Sequence, residues 1–137
     1  MSGFENGASA RPRVIDLNAD LGEGFPNDRA LLEWVTSASV CCGAHAGGPE
    51  VIGQTLRDAR DRGVSVGAHP GYPDRDGFGR REQAVPTGTV RDLLTEQLAV
   101  LEAMAAEVGV PVRASYASMR LRISATALPP VLGTGIP

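Results

Sequence analysis

Two histidines and a set of polar side chains stand at the ends of three short apolar segments. Each segment runs into a glycine-containing loop, at residues 15–25, 37–48 and 64–81. The groups at these ends that could do chemistry are Asp16, Asn18, Asp20, Glu23, Cys42, His45, His69 and Asp74. Carboxylates beside imidazoles are what general acid–base catalysis or a divalent metal ion requires. The sequence therefore predicts an active site built from three loops.

The third segment carries the histidine whose direction is most constrained. Residues 64–68 are predicted to form a strand, and His69 follows directly before Pro70. A residue that precedes proline is held in an extended conformation, so the direction of His69 is fixed. The loop from His69 to Pro86 is longer than most connections between a strand and a helix, which favours a functional loop.

Several candidates also have a structural interpretation. Asp20 and Glu23 could cap their own loop, and Asp74 could be an ordinary turn residue. His45 lies among glycine and alanine, where few bulky groups could surround it as a core residue. We favour chemistry for His45 and His69, whereas both interpretations stay open for Asp74.

Paired arginines, Arg80 and Arg81, close the third loop. Either could bind a substrate carboxylate or phosphate through its forked guanidinium, or one of them could pair with Asp74 or Asp76. All 13 basic residues of the chain are arginines. The absence of lysine excludes a Walker-type phosphate site and Schiff-base chemistry.

Helical and extended patterns alternate along the chain. Strands are predicted at residues 14–17, 37–42, 64–68 and from 110 onward, and helices at 29–35, 49–62 and from Thr87 or Thr89 to 108. This order favours an α/β fold with a parallel sheet, either open or curled into a barrel. Parallel strands place their carboxyl ends on one side, so the three loops would face one pocket. Trp34 and the apolar stripe of the last helix are predicted to serve core or helix packing rather than ligand binding.

The composition narrows the class of protein. The chain has 137 residues, of which 42% are hydrophobic and 21% charged, and a net charge of -3. These values are typical of a globular domain and give no electrostatic footprint for nucleic acid. Without a membrane-length apolar run or a signal-peptide pattern, we expect a cytoplasmic protein. Cys41 and Cys42 are adjacent, which is poor geometry for a disulfide, so we expect reduced thiols with Cys42 facing the core or the site.

Four ordered motifs read IDLNADLGEGF at 15–25, CGAHAG at 42–47, GAHPGYPD at 67–74 and GFGRR at 77–81. Together they resemble the LamB/YcsF family of 5-oxoprolinase A subunits. The resemblance implies a parallel (β/α) barrel-like fold of the deacetylase-like type, with about half of a full barrel present. It also implies that 5-oxoproline (pyroglutamate) is opened to L-glutamate with ATP as co-substrate, by a complex with two other 5-oxoprolinase subunits.

The resemblance carries the family's polar site positions onto this chain. They fall on Asp16, Asn18, Asp20, Glu23, His45, His69 and Asp74, without individual roles or a nucleotide site. For the mechanism we hypothesise that Asp20 or His69 orients or deprotonates a water, while His45 stabilises developing negative charge. Arg80 and Arg81 are the candidates for substrate binding, and no residue is assigned as a metal ligand.

The chain also departs from the family pattern. Ser39 and Gly48 replace the usual asparagine and aspartate, and the Lys-Pro-His-Gly motif expected after Arg113 is absent. All 16 acidic residues precede Ala114. We therefore expect a flexible arm at 1–13, the N-terminal part of a barrel at 14–113 and an atypical tail at 114–137, in a truncated protein that does not hydrolyse the lactam alone.

Two other interpretations remain open at this stage. One is a metal-dependent deacetylase-like hydrolase in which Asp20, His45 and His69 hold a divalent ion that activates water. The other is a non-catalytic fragment that binds to the other subunits.

Overall fold

The computed structural model describes residues 15–115. Its strands are β1 (Asn18–Leu21), β2 (Ser37–Cys41), β3 (Ser65–His69) and β4 (Val112–Ser115). Its helices are α1 (Asp28–Leu31), α2 (Pro49–Arg62) and α3 (Thr87–Val108). Strands and helices alternate, as the sequence predicts. The expected arm at 1–13 lies outside the described residues, and so does the tail at 114–137 apart from its first two residues.

The four strands form one parallel sheet in which each strand pairs with the next along the chain. Asn18 aligns with Ser37, and Ser37 aligns with Ser65, so the first three strands begin at the same level. The pairing of β4 with β3 is irregular between Val66 and Gly67. Sequential parallel pairing with a helix after each strand is how a (β/α) barrel is assembled, so the sheet is consistent with part of such a barrel.

The core lies on one face of this sheet, beneath α2 and α3. Because strand side chains alternate between the two faces, every second residue points toward these helices. The fully or nearly buried core residues include Ala38, Val40, Ile52, Leu56, Ala59, Val66, Ala68, Leu101 and Ala105. The intervening strand positions include Asp20, Ser39 and His69. The side of the sheet away from the core therefore carries polar groups.

Glycines end the two long helices and return the chain to the sheet. Gly63 follows α2 with φ 67°, and Gly109 follows α3 with φ 74°. This left-handed region is costly for other residues, so glycine is the usual residue there. Within residues 15–115, none of the helices is both long and apolar enough to cross a membrane.

Two predictions near the start of the chain were wrong. The first strand begins at Asn18 rather than Val14, and Ile15 and Leu17 are 83% and 53% exposed. Pairing with β2 decides the position of β1, and on this strand the core begins only at Ala19. Trp34 is 77% exposed because α1 is only one turn long and Leu32 is buried instead.

Candidate active site

The two histidines meet at the carboxyl ends of β2 and β3. His69 is the last residue of β3, and His45 lies in the loop of residues 43–48 between β2 and α2. Their ring centroids are 4.9 Å apart, and both side chains are almost completely buried. The convergence of these two loops, which the sequence predicts, is present in the structure.

Glu23, from the loop after β1, joins the two histidines. Its Oε1 accepts a hydrogen bond from His45 Nε2 at 3.1 Å and lies 3.7 Å from His69 Nδ1. Only 10% of the Glu23 side chain is exposed. A carboxylate shared between two buried imidazoles is thus the centre of the cluster.

Asp20 lies beside this cluster and faces solvent. Its Oδ1 is 3.6 Å from His69 Nδ1, and 55% of its side chain is exposed. Burial lowers the pKa of His69 below its ordinary value, while the charges of Asp20 and Glu23 partly oppose that shift. His69 is therefore neutral at pH 7 and able to accept a proton.

Two glycines allow the long third loop to pack against the His45 ring. A Cβ atom at Gly71 would lie 2.4 Å from His45 Nδ1, and one at Gly79 would lie 2.8 Å from His45 Cβ. Side chains at these positions would displace the buried imidazole. The glycines of the GAHPGYPD and GFGRR motifs are therefore needed for the shape of the site.

Gln97 on α3 forms hydrogen bonds with the backbone of the same loop. Gly71 N–H donates to Gln97 Oε1 at 3.0 Å, and Gln97 Nε2 donates to the Gly71 carbonyl at 2.8 Å. The glutamine is buried, so both groups of Gly71 would lose their partner if the amide were removed. Gln97 connects the helix to the backbone that contacts His45.

Replacing Gln97 by methionine should destabilise the protein by about 2 kcal/mol, because two buried backbone groups become unsatisfied. Urea unfolding would measure the change. Gln54→Met is the matched control, since Gln54 lies on the exposed side of α2 and bonds only side chains. If the two variants lost the same free energy of unfolding, the result would contradict the role given to Gln97.

Asp16 and Asn18 lie at the other end of the sheet, contrary to their expected position. Asp16 precedes β1 and accepts hydrogen bonds from the hydroxyls of Thr36 and Ser37, which lower its pKa. Asn18 is the first residue of β1 and accepts a hydrogen bond from the Ser39 hydroxyl at 2.9 Å. The structure does not bring these two side chains to the histidines.

Asp74 forms a turn rather than facing the histidines. Its Oδ1 accepts a hydrogen bond from Gly77 N–H at 3.0 Å and lies 3.5 Å from Arg81 Nη1. These contacts fit the structural interpretation of Asp74 and the predicted pairing with one of the arginines. The other arginine, Arg80, is exposed, and its positive charge helps to lower the pKa of His69. A substrate-binding role for Arg80 and Arg81 stays a prediction.

Cys41, rather than Cys42, lies at the site. Its Sγ is 3.7 Å from His45 Nε2 and donates a hydrogen bond to the Ala46 carbonyl at 3.1 Å. Cys42 packs in the core, where burial raises its thiol pKa to about 12. Burial also raises the pKa of Cys41, so neither thiol is an activated nucleophile. Both cysteines are free.

The sequence interpretation missed Cys41, Gln97 and Arg75. Cys41 aligns with His69 in the sheet register, and strand alternation could have placed both on one face. Gln97 lies at helical spacing from the buried Val90 and Leu101, so it stands out as a polar residue in an apolar stripe. Arg75 carries no local pattern that separates it from the neighbouring arginines.

The cluster has the donor set of a divalent metal site. One ligand atom from each of Glu23, His45 and His69 lies within 4.8 Å of the others. One carboxylate and two imidazoles are common ligands of catalytic zinc. Beside the cluster, a cavity of about 580 Å³ opens against Glu23, Arg75 and the first residues of α2.

Residues 15–118 match the model of the LamB/YcsF family. The chain belongs to the LamB/YcsF family. This confirms the resemblance seen in the four motifs. The matched range contains all three loops of the site, so the cluster described above is a feature of a LamB/YcsF chain.

Relatives of this LamB/YcsF chain share nearly half of its residues over the matched region. Proteins named as the A subunit of 5-oxoprolinase are 47% identical over 104 residues in Ruegeria pomeroyi and 50% identical over 102 residues in Methylococcus capsulatus. These matches include 72% and 71% of this chain but 41% and 39% of the relatives. The chain therefore spans about two-fifths of the length of these relatives.

A solved structure shares the fold of this family member. The lactam utilization protein from Thermus thermophilus matches with a TM-score of 0.74 and 39% sequence identity. The match covers 77% of this chain and 44% of that protein. The predicted parallel α/β fold, which is consistent with part of a barrel, is therefore shared with this solved structure.

The lowered pKa of His69 should make stability depend on pH. Unfolded His69 takes up a proton below its ordinary pKa of 6.5, whereas folded His69 resists it. The unfolded state then binds more protons, so stability falls as the pH drops through 6.5 toward the lowered value. Urea unfolding would measure the free energy of unfolding at about pH 7.5 and about pH 5.5. Between these two pH values, the free energy of unfolding should fall less in His69→Gln than in the wild type. An equal loss would contradict the lowered pKa.

Proposed function

We propose that the described residues form part of the active site of an ATP-dependent 5-oxoprolinase. In this function the protein opens 5-oxoproline to L-glutamate together with two partner subunits. The observation that carries the proposal is the cluster of Glu23, His45 and His69 at the carboxyl ends of neighbouring strands. It occurs in a chain whose relatives are named as 5-oxoprolinase A subunits.

Opening a lactam is difficult because resonance stabilises the amide bond. In the proposed reaction, ATP transfers its terminal phosphoryl group to the lactam oxygen, which makes the attached carbon more electrophilic. Water then adds to that carbon, and the ring C–N bond breaks as the nitrogen takes a proton, which leaves the γ-carboxyl group of glutamate as an acyl phosphate. A second water hydrolyses this acyl phosphate to L-glutamate and inorganic phosphate. The protein must supply a base for the water and a proton for the nitrogen.

Asp20 and His69 are the residues best placed to act on the attacking water. The Asp20 carboxylate is more than half exposed and can reach a substrate, while His69 is neutral and lies 3.6 Å behind it. We therefore assign the orientation and deprotonation of the water to this pair.

His45 has a different role from the one expected from the sequence. It is 1% exposed, and its Nε2 is already bonded to Glu23. We propose that it holds Glu23 in place instead of stabilising charge on the substrate. Arg80 is exposed beside His69, which makes it a better candidate for the substrate carboxylate than Arg81, which lies near Asp74.

A metal-dependent hydrolase is the second candidate function, favoured by the geometry of the same cluster. Glu23, His45 and His69 would hold the ion, so Glu23 takes the place expected for Asp20. A divalent ion at this position would polarise a carbonyl or acidify a bound water. Asp20 would then lie next to the ion and remain accessible to a substrate.

One comparison separates these functions. The chain is mixed with candidate partner subunits and assayed for ATP hydrolysis that depends on 5-oxoproline, beside the full-length relative from Methylococcus capsulatus. Turnover by both supports the proposed function. One bound metal ion per chain, together with deacetylation that does not require ATP, would support the metal-dependent hydrolase. Partner binding without either reaction would indicate a non-catalytic fragment.

A further inference from the structure

Arg75 connects the third loop of the site to the loop that carries His45. Its Nη1 donates a hydrogen bond to the Gly43 carbonyl at 2.8 Å, and its Nη2 donates to the Gly47 carbonyl. These two carbonyls stand two residues before and two residues after His45. One guanidinium therefore holds both ends of the five-residue segment that presents the imidazole.

Besides Arg75, the Cys41 thiol contacts the backbone of this segment, accepting a hydrogen bond from Gly43 N–H at 3.4 Å and donating one to the Ala46 carbonyl at 3.1 Å. The segment has few side chains of its own to define its shape. Its residues are glycine, alanine and the histidine itself, and both end glycines are left-handed, with φ 89° at Gly43 and φ 65° at Gly47. Glycine gains the most conformational freedom when a contact is released. A planar guanidinium can bridge two carbonyls with its geometry already set, whereas an ammonium group is a single point donor.

The position of His45 matters because its ring is held by contacts from other parts of the chain. Glu23 bonds Nε2, and Gly71 and Gly79 lie against the ring. A small shift of residues 43–47 would move the imidazole away from Glu23 and toward the backbone of Gly71 and Gly79. Arg75 belongs to the same long loop as the two glycines, so it fixes the two loops relative to each other.

We propose that Arg75 is a positioning residue that holds the 43–47 segment at both ends and thereby keeps the His45 imidazole against Glu23. As a contribution to catalysis this role rests on the function proposed above. The positioning itself does not, because it concerns only the geometry of the folded chain.

The test uses nuclear magnetic resonance, because the chain has only two histidines. His69→Gln assigns the imidazole signals, and Glu23→Gln gives the signal of His45 without its carboxylate partner. Arg75→Met should move the His45 signal toward that of Glu23→Gln. It should also raise amide hydrogen exchange in residues 43–47 by about tenfold or more, since two charge-assisted hydrogen bonds are lost.

Arg81→Met is the matched control, since Arg81 is an exposed arginine of the same loop whose ion-pair contact is with Asp74. It should leave the His45 signal and the 43–47 exchange rates unchanged. Arg75→Lys keeps the charge and can contact one carbonyl, so an intermediate shift is expected. This variant also serves if Arg75→Met does not fold.

Three results would overturn the proposal. A folded Arg75→Met protein with wild-type His45 signals would show that the contact is dispensable. Equal effects of Arg75→Met and Arg81→Met would indicate a general effect of loop charge. Wild-type behaviour of Arg75→Lys would show that bridging both carbonyls is unnecessary. None of these measurements uses turnover, so an inactive protein would count against the proposed reaction and leave the positioning role intact.

Discussion

In the proposed 5-oxoprolinase complex, replacing Glu23 by glutamine should lower 5-oxoproline-dependent turnover by about 10²- to 10⁴-fold, the range typical of losing a group in a proton-transfer system. Glutamine has nearly the same shape but carries no charge. His45 Nε2 would lose a charged acceptor at 3.1 Å, and His69 would lose the negative charge 3.7 Å from its Nδ1. One substitution would therefore remove the carboxylate from both imidazoles at once, which is why it has so large an effect.

Glu33→Gln is the control for this change, because Glu33 is exposed and follows α1 outside the cluster. It should leave turnover within about twofold of the wild type, as expected for a surface substitution. Initial rates at saturating 5-oxoproline and ATP would be compared for the two variants. If Glu23→Gln retained more than a tenth of the wild-type rate, the carboxylate would have no part in proton transfer.

Gly47→Ala should destabilise the protein by about 2–5 kcal/mol. A Cβ atom there would lie 2.1 Å from the Gly22 carbonyl oxygen, so the backbone of the first loop must move. Overpacking of this kind costs about 1–3 kcal/mol. The left-handed conformation, with φ 65°, adds about 1–2 kcal/mol for a residue with a Cβ. Chemical denaturation would measure the combined loss.

Gly88→Ala provides the comparison for Gly47→Ala. Gly88 lies in the first turn of α3, and nothing is within 4 Å of a Cβ placed there. Alanine favours a helix over glycine by up to about 1 kcal/mol, so this variant should be as stable as the wild type or slightly more stable. A loss below about 1 kcal/mol for Gly47→Ala would mean that the first two loops can separate easily.

The sequence predicts the position of the site because its main determinants are local. Pro70 fixes the residue before it, and His69 lies at the end of a buried apolar run. The same reasoning places α2 correctly, since Pro49 suits the first turn of a helix and Gly63 suits the position after the last. These features depend on neighbours within a few residues, which a single sequence displays.

Contacts between distant loops could not be predicted in this way. The bonds of Arg75 to Gly43 and Gly47 join residues about 30 positions apart, and nothing nearby distinguishes it from Arg80 or Arg81. The position predicted for Asp16 is wrong for a related reason. It depends on where β1 pairs with β2, and the apolar residues around Asp16 favour an earlier strand.

The order of strands in the sheet has a consequence for how the chain folds. Each described strand after the first pairs with the strand that precedes it along the polypeptide. A newly synthesised strand therefore finds its partner already present. Partner residues lie 19, 28 and at least 46 positions apart along the chain, so within residues 15–115 the sheet can grow strand by strand as synthesis proceeds from the N-terminus. Within that sequence of events, the Glu23–His45–His69 cluster is complete only when β3 has joined β2.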